Sequence, residues 1–563
     1  MKQPVFREVQ RQIKAELFRA WKAAAEEGTL PDPDGMEFAR ARIMLEIPKE
    51  RAHGNFATNI AFILAKPARR APREVATIIL QKLADSDLLN QAELAGPGFI
   101  NFFLHQSWLN RVVAEVAEER TGYGRVPDLS GEKIQIEFVS ANPVGPMNIV
   151  NARAGALGDC LARLFKLCGA EVTKEYYIND FGIQVYTLGR SIDARYREYL
   201  GGKADFPEEG YQGEYIYDLA RELMEEKGDS LLEMEEEQRI EFCRDWGYQK
   251  MLAAQKKDLA DYGVIYDQWF SERKLHESGR VEEVAQEMRE KSLLYEEEGA
   301  VWFRSTEFGD DKDRVVKTAD GRTTYFVADI AYHLNKYERG FNHLINIWGP
   351  DHHGYIPRMK AAMSAFGIDP ERLEVLIAQQ INLLKEGKPF KMSKRRGEFI
   401  TMRDLLDEVG NDAARWYFLM RSPDSHLDFD LDLAKKEAPE NPVFYVQYAH
   451  ARICSIFKQA TSGLDISNRV IITAVWEDDE EEILEKIAVF PEVVAGAAWG
   501  REPHRITNYL LDLATLFHSY YNRKRFLTED EDLTRSRLLL AFVVQTVIKN
   551  GLDLLGISAP EQM

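Results

Sequence analysis

At 563 residues, with 45% hydrophobic and 29% charged side chains, the chain can bury several cores on a prior of about 150 residues per domain. Its formal net charge of -20 excludes a protein that coats nucleic acid indiscriminately but leaves room for local basic tracks. No run approaches the ~20 apolar residues that span a bilayer. Residues 1–27 read as an amphipathic helix and not as a secretory signal. The cysteines, Cys160, Cys168, Cys243 and Cys454, fit neither a disulfide framework nor a zinc spacing. A cytoplasmic protein with no membrane partner is expected.

In chain order, residues 1 to about 105 form a first unit: the opening helix, a break at Pro31 to Pro33, a strand at 43–47 and a helix at 56–65. Ile134, Ile136 and Phe138 then alternate with Gln135 and Glu137 as a strand requires, until Asn142-Pro143 and Gly145-Pro146 enforce a sharp turn. Ala156, Leu157, Cys160, Leu161, Leu164 and Phe165 recur at helical spacing up to Gly169, and 172–178 reads as a second strand. The result is a βαβ unit. Its helix N-terminus, near Asn148 to Asn151, points free N–H groups and a positive dipole end at the carboxyl edge of the sheet, where nucleotide phosphates bind. On pattern alone, a buried crossover without a ligand reads the same way.

An acidic helical insertion is expected around 196–290. The acid blocks at 222–241 and 477–485 read as solvated faces. Basic clusters lie at Arg69, Arg70 and Arg73, at 391–396 and at 522–525. Singly each reads as surface, and together they could line a polyanion of tRNA size. From 441 onward the chain is helix-patterned. Most of Tyr445, Tyr448, Tyr509, Tyr520 and Tyr521 belong to its core, leaving a minority, with Asn522, to stack unpaired bases.

Several phrases resemble the arginyl-tRNA synthetases, a class I family. Asn142-Pro143-x-Gly145-Pro146, a four-residue site and Ala152-Arg153-x-x-x-x-Gly158-Asp159 resemble its first motif. In the family the four residues are His-x-Gly-His, whereas here they are Asn148-Ile149-Val150-Asn151. The stretch from Ile47 to Ala57 and that from Ala95 to Phe102 resemble the family's additional N-terminal domain, which implies contact with the outer corner of tRNA. Tyr211 to Ile216, Tyr325 to His333 and Ile347 to Tyr355 are further family phrases. Gly387 to Gly397 contains a complete Lys391-Met392-Ser393-Lys394 motif, and Asp404 to Arg421 resembles the start of the family's anticodon-binding domain.

The resemblance implies a multidomain α/β protein: a Rossmann-type parallel-sheet catalytic core, an α+β N-terminal domain and an all-α C-terminal anticodon-binding domain. Expected units are 1–105, 106–375 with the insertion, 376–430 carrying the KMSK loop, and 431–563. The implied reaction is ATP-dependent activation of L-arginine and its transfer to tRNA(Arg), with bound tRNA needed for the first step. Carried over residue by residue, Asp329 and Tyr325 hold the arginine side chain. A carboxylate is the best planar match for a guanidinium. Glu137, Asn142 and His353 meet the rest of the amino acid. Gly349, Asp351 and His352 meet ATP, as do Met392 and Ser393. Lys391 and Lys394, with Asn148 and Asn151, meet phosphate charge as it develops.

A metal site at Asp351, His352 and His353 is disfavoured, since adjacent histidines cannot easily share one ion and no third ligand has sensible spacing. Mg2+ is expected to accompany ATP without a protein-bound metal, and the chain to be a monomer. Two alternatives stay open: a non-catalytic relative that binds tRNA or senses arginine, and a nucleotidyltransferase acting on a small acid.

Overall fold

The computed structural model describes residues 3–34, 36–84, 86–203, 205–390, 400–460, 471 and 474–563. At the N-terminus, the helices Val5–Glu26, Ile60–Ala68 and Pro72–Lys82 accompany a four-stranded antiparallel sheet. Its order is Leu45–Glu46, Phe56–Thr58, Phe99–Leu104, Leu89–Ala95. Two expectations are corrected here. The helix read at 56–65 begins as a strand, because Phe56 and Thr58 point inward and pair with Phe102 and Ile100, and helix starts only at Ile60. The strand read at 43–47 shrinks to Leu45–Glu46.

The central unit is a five-stranded, all-parallel sheet in the order Leu373–Ile377, His343–Trp348, Lys133–Phe138, Glu171–Ile178, Gln268–Ser271. Lys133–Phe138 comes first in sequence yet lies in the middle, so the order reverses around it. A crevice opens at the carboxyl ends where it meets His343–Trp348, the place where open α/β sheets bind ligands. The crossover helix Ile149–Leu167 packs so closely on this strand that a Cβ on Gly158 would come within 2.2 Å of the Phe138 ring. Three inserted helices, Ile183–Tyr199, Glu214–Lys227 and Glu236–Asp261, share their own core of Leu188, Ile192, Ile216, Leu223 and Cys243.

The C-terminal helices Pro442–Gln459, Asp478–Ala488, Phe490–Gly500, His504–Arg523 and Glu531–Leu555 continue the main core. By length and composition Glu531–Leu555 could cross a bilayer, contrary to the reading of the sequence; 78% of its most apolar window is buried inside the protein. The second acid block is also not a solvated face. Glu480 is fully buried against the Tyr520 hydroxyl and Arg537, and Glu481 and Glu485 both pair with Arg51 of the N-terminal unit. Charges read as solvent-facing from one helix are spent on docking another unit.

One buried node joins these parts. Asp159, on the crossover helix, accepts from Arg415 Nη2 at 2.6 Å, Lys174 Nζ at 2.9 Å and Arg163 Nε at 2.9 Å. Arg415 also donates to Leu555 O and Tyr262 O. Gly556 ends the last helix at φ +69, and any Cβ there would lie 2.3 Å from the Arg415 guanidinium. Burial alone would raise the Asp159 carboxyl, but the charges of Arg415, Arg163 and Lys174 bring it down to about 2. A carboxyl lowered on folding adds stability above its ordinary range near 3.8 and loses it as pH falls toward 2. Asp159→Asn is expected to lower stability at pH 7 by about 3 to 5 kcal/mol, because Arg415 stays buried without its anion. The check is the thermal midpoint of parent and variant, which should differ at pH 7 and draw together as pH falls from 4 toward 2.

Candidate active site

The crevice encloses about 790 Å³, bounded by the end of the central strand, the turn after it, the crossover-helix N-terminus, and Tyr325, Asp329, Trp348 and Asp351. At the strand end the backbone turns through left-handed positions at two non-glycine residues, Val139 (φ 68) and Ser140 (φ 40). Such strain persists only where the surroundings over-determine it. Ser140 Oγ donates to Glu137 Oε1 at 3.0 Å and accepts from Tyr177 N at 3.1 Å.

The helix N-terminus carries a reciprocal cap. Asn148 Oδ1 accepts from Val150 N and Asn151 N, and Asn151 Oδ1 accepts from Asn148 N at 2.9 Å. Each amide thus uses its oxygen on the helix and keeps its Nδ2 donor, with no acceptor among the described residues. One turn on, the Arg153 guanidinium is 1% exposed and donates to Gln379 O, Ser425 O and Ser422 O. Burial away from any bonded carboxylate lowers it to about 10. Together with Met402 N on Met147 O at 2.7 Å, these bonds tie the helix start to the segments flanking residues 391–399.

The opposite wall is acidic. Asp329 sits on the helix Tyr325–Glu338 and accepts from the Tyr355 hydroxyl; burial, offset by that bond and reinforced by Glu137, raises its carboxyl to about 6. Behind it Glu272 is nearly fully buried. Desolvation and the Asp329 charge push it to about 8 against a hydrogen bond from Tyr177. Asp329 lines the crevice while Glu272 lies off its lining, so one raised carboxyl facing the crevice is backed by a second that disfavours its ionisation. Glu137 is already engaged by Lys336 Nζ at 2.7 Å, and Lys336 also donates to Asn346 Oδ1. Asn346 Nδ2 lies 2.7 Å from His333 Nε2, whose Nδ1 faces Asp329 O at 2.7 Å. This network places the proton on Nδ1, and burial beside Lys336 holds the ring neutral.

Of the residues singled out in the sequence, Glu137, Asn142, Asn148, Asn151, Tyr325, Asp329, Gly349, Asp351 and His352 all line this one crevice. Tyr325 is 63% exposed, at the mouth. His353 lies in the same turn, exposed and off the lining. Lys391, Met392, Ser393 and Lys394 lie outside the described residues. Sequence reading missed Glu272, Lys336 and Gln255. Their partners are dozens to hundreds of positions away, and nothing in local spacing marks them. Tyr211 and Tyr215, from one of the family phrases, also reach the lining.

A reversed-order parallel sheet whose first crossover presents a helix N-terminus beside an acidic pocket is the architecture of a class I aminoacyl-tRNA synthetase. The family description "tRNA synthetases class I (R), catalytic domain" matches residues 120–418. It is flanked by "Arginyl tRNA synthetase N terminal domain" at 8–104 and "DALR anticodon binding domain" at 446–563. The chain is 48% identical over 557 residues to an arginine–tRNA ligase of Geobacillus kaustophilus, covering 98% of each. Its structure is similar to that of a putative arginyl-tRNA synthetase from Campylobacter jejuni (TM-score 0.75, 38% identity, 82% of this chain and 100% of that one). It also shares the fold of the Thermus thermophilus arginyl-tRNA synthetase (TM-score 0.72, 22% identity, 98% and 100%). The chain belongs to the arginyl-tRNA synthetase family.

The raised pair has a measurable consequence. Below about 8 the empty pocket retains a proton that a bound guanidinium would expel, so affinity for such a ligand should fall as pH is lowered from 8 toward 6. Calorimetry of arginine binding at pH 7, in two buffers of different ionisation enthalpy, should show net proton release. Binding without proton release would mean the pair does not face the ligand.

Proposed function

We infer that the protein is an arginine–tRNA ligase: it joins arginine to ATP as arginyl-adenylate, releasing pyrophosphate, and passes the arginyl group to the terminal ribose of tRNA(Arg). The observation that carries this is the likeness to the Geobacillus ligase over 98% of both chains. The acidic pocket supports it, since it offers a guanidinium the planar acceptor it needs.

On this reading the guanidinium lies against Asp329, with Tyr177 beside it, Glu272 behind and Tyr325 at the mouth. Glu137, Asn142 and His353 take the polar groups at the other end of the substrate. The arginine carboxylate then attacks the α-phosphate and pyrophosphate leaves. Developing phosphate charge meets the positive end of the crossover helix, the Nδ2 groups of Asn148 and Asn151, and the ammonium groups of Lys391 and Lys394. Gly349, Asp351 and His352 face the adenosine, and Met392 and Ser393 complete the ATP contacts. Among the described residues no group of three or more His, Cys, Asp or Glu side chains is placed to hold a metal ion. Magnesium enters with the ATP phosphates as part of the substrate.

For tRNA, residues 1–105 offer exposed Arg69 and Arg70. Of the tyrosines singled out, Tyr509 and Tyr520 are core. Tyr448 and Tyr521 instead share the Arg452 guanidinium at 4.4 and 4.8 Å, a platform suited to splayed anticodon bases within 431–563. Residues 106–375 carry activation and 376–430 the loop that meets ATP. The ligase works as a cytoplasmic monomer.

ATP–pyrophosphate exchange with arginine, run with and without tRNA(Arg), tests the assignment. Exchange in the tRNA arm and charging of that tRNA are expected, and silence in both arms alongside tRNA binding would favour the non-catalytic alternative. Asp329→Asn should weaken arginine binding by about 2 to 4 kcal/mol; unchanged affinity would remove Asp329 from the site.

The cap allows a sharper test of the first motif. Asn148→Asp keeps the oxygen that caps the helix, and Asp caps as well as Asn, but it turns the outward donor into an anion. Its thermal midpoint should match the parent while adenylation slows at least tenfold. Asn148→Ala should lose about 1 kcal/mol of stability as well. Adenylation at the parental rate in Asn148→Asp would mean that the turn makes no phosphate contact.

A further inference from the structure

The turn from Phe138 to Gly145 is held open by side chains that come mostly from elsewhere. The Tyr266 hydroxyl donates to Phe138 O at 2.9 Å, and the Tyr176 hydroxyl reaches Ala141 O at 2.9 Å. Tyr215 donates to Val144 O at 2.8 Å. At the centre is Gln255, 2% exposed, on the inserted helix Glu236–Asp261. Its Nε2 donates to Asn142 O and to Gly145 O, both at 3.1 Å, and its Oε1 lies 3.0 Å from the Tyr176 hydroxyl.

We infer that Gln255 is a positioning residue for arginine activation: its single amide clamps the two ends of the Asn142–Gly145 turn and so sets where Asn142 and the following helix N-terminus stand in the crevice. The argument starts from strain. Left-handed Val139 and Ser140 leave the backbone just before the turn in a conformation it would not hold unaided. Proline follows at positions 143 and 146 and supplies no N–H, so no regular ladder can take up these carbonyls. Gln255 spends both amide hydrogens on carbonyls three residues apart, and no other side chain spans the turn in this way among the described residues. Its oxygen is oriented by Tyr176, which fixes the amide against flipping. Tyr215, from another inserted helix, closes over Gly145, where an added Cβ would come within 3.2 Å of its hydroxyl.

The inserted helix Glu236–Asp261 thereby becomes part of the activation site although Gln255 does not line the crevice. Gln255 acts through the turn, so its loss should slow the chemical step more than it weakens arginine capture, whose guanidinium anchor, Asp329, stands on the far wall. This inference rests on the ligase reading above.

The test uses full-length parent, Gln255→Met and Gln255→Glu with saturating arginine, ATP and tRNA(Arg). Met matches the side-chain length but leaves both carbonyls without a donor. It should lower kcat for ATP–pyrophosphate exchange at least tenfold, with arginine Kd changed less than threefold. Glu is the same shape with a titratable donor. Ionised, it repels both carbonyls; protonated, it satisfies one. The ratio of Gln255→Glu to parental kcat should therefore rise at least threefold from pH 8.5 to pH 6, a pattern that a purely structural residue would not produce. The inference is overturned by a parental kcat in Gln255→Met, by equal losses in kcat and arginine affinity, or by a pH-independent Glu-to-parent ratio. The parent's own exchange activity reports separately on the ligase reading.

Discussion

Asp159 holds three cations at once, and each belongs to a different part of the molecule. Arg163 continues the crossover helix, Lys174 belongs to the next strand, and Arg415 reaches across from beyond residues 391–399 while grasping the last carbonyl of the C-terminal helix. A buried carboxylate is costly unless its charge is met, so these four side chains must arrive together or not at all. This makes the pose of the helical domain a condition for the pose of the crossover helix, whose N-terminus lines the crevice. The same economy recurs at Arg51, where the N-terminal unit is fastened to the helical unit by Glu481 and Glu485. Three units with separate sequence signatures are thus joined by charges that only make sense in the assembled chain.

Within that frame the crevice divides its labour by wall. One wall is acidic and strained toward protonation, a state that only a cation relieves. The other is built from backbone donors and amide groups and carries a dipole without a titrating group. Between them runs a turn whose shape is borrowed from the insertion. The charge of one wall and the dipole of the other therefore depend on different parts of the fold.

Local pattern made much of this legible. The alternation of Ile134, Ile136 and Phe138, the helical recurrence through Phe165 and the stop at Gly169 define the crossover unit without any contact information, because they reflect one strand face and one helix stripe. Asp329 could be placed on a common crevice with the Asn148–Asn151 turn only through the resemblance of its segment to the family. Phe56 misled because a three-residue strand has too few alternations to compete with the helix that follows. The acid block at 477–485 misled because its partner, Arg51, lies more than 400 positions away. Glu272 and Gln255 were invisible for a related reason: a glutamate at the start of a six-residue helix and a glutamine within a 26-residue one carry no local mark of what they face.

The asparagine pair at the crossover helix has one further consequence. Imidazoles at these positions would change charge between pH 5 and 8, whereas primary amides do not. With each oxygen committed to the helix cap, neither amide can turn around to offer an acceptor, so the start of the crossover helix presents the same polarity to the crevice throughout that range. Whatever acid sensitivity the crevice has between pH 5 and 8 therefore arises elsewhere than at this helix end.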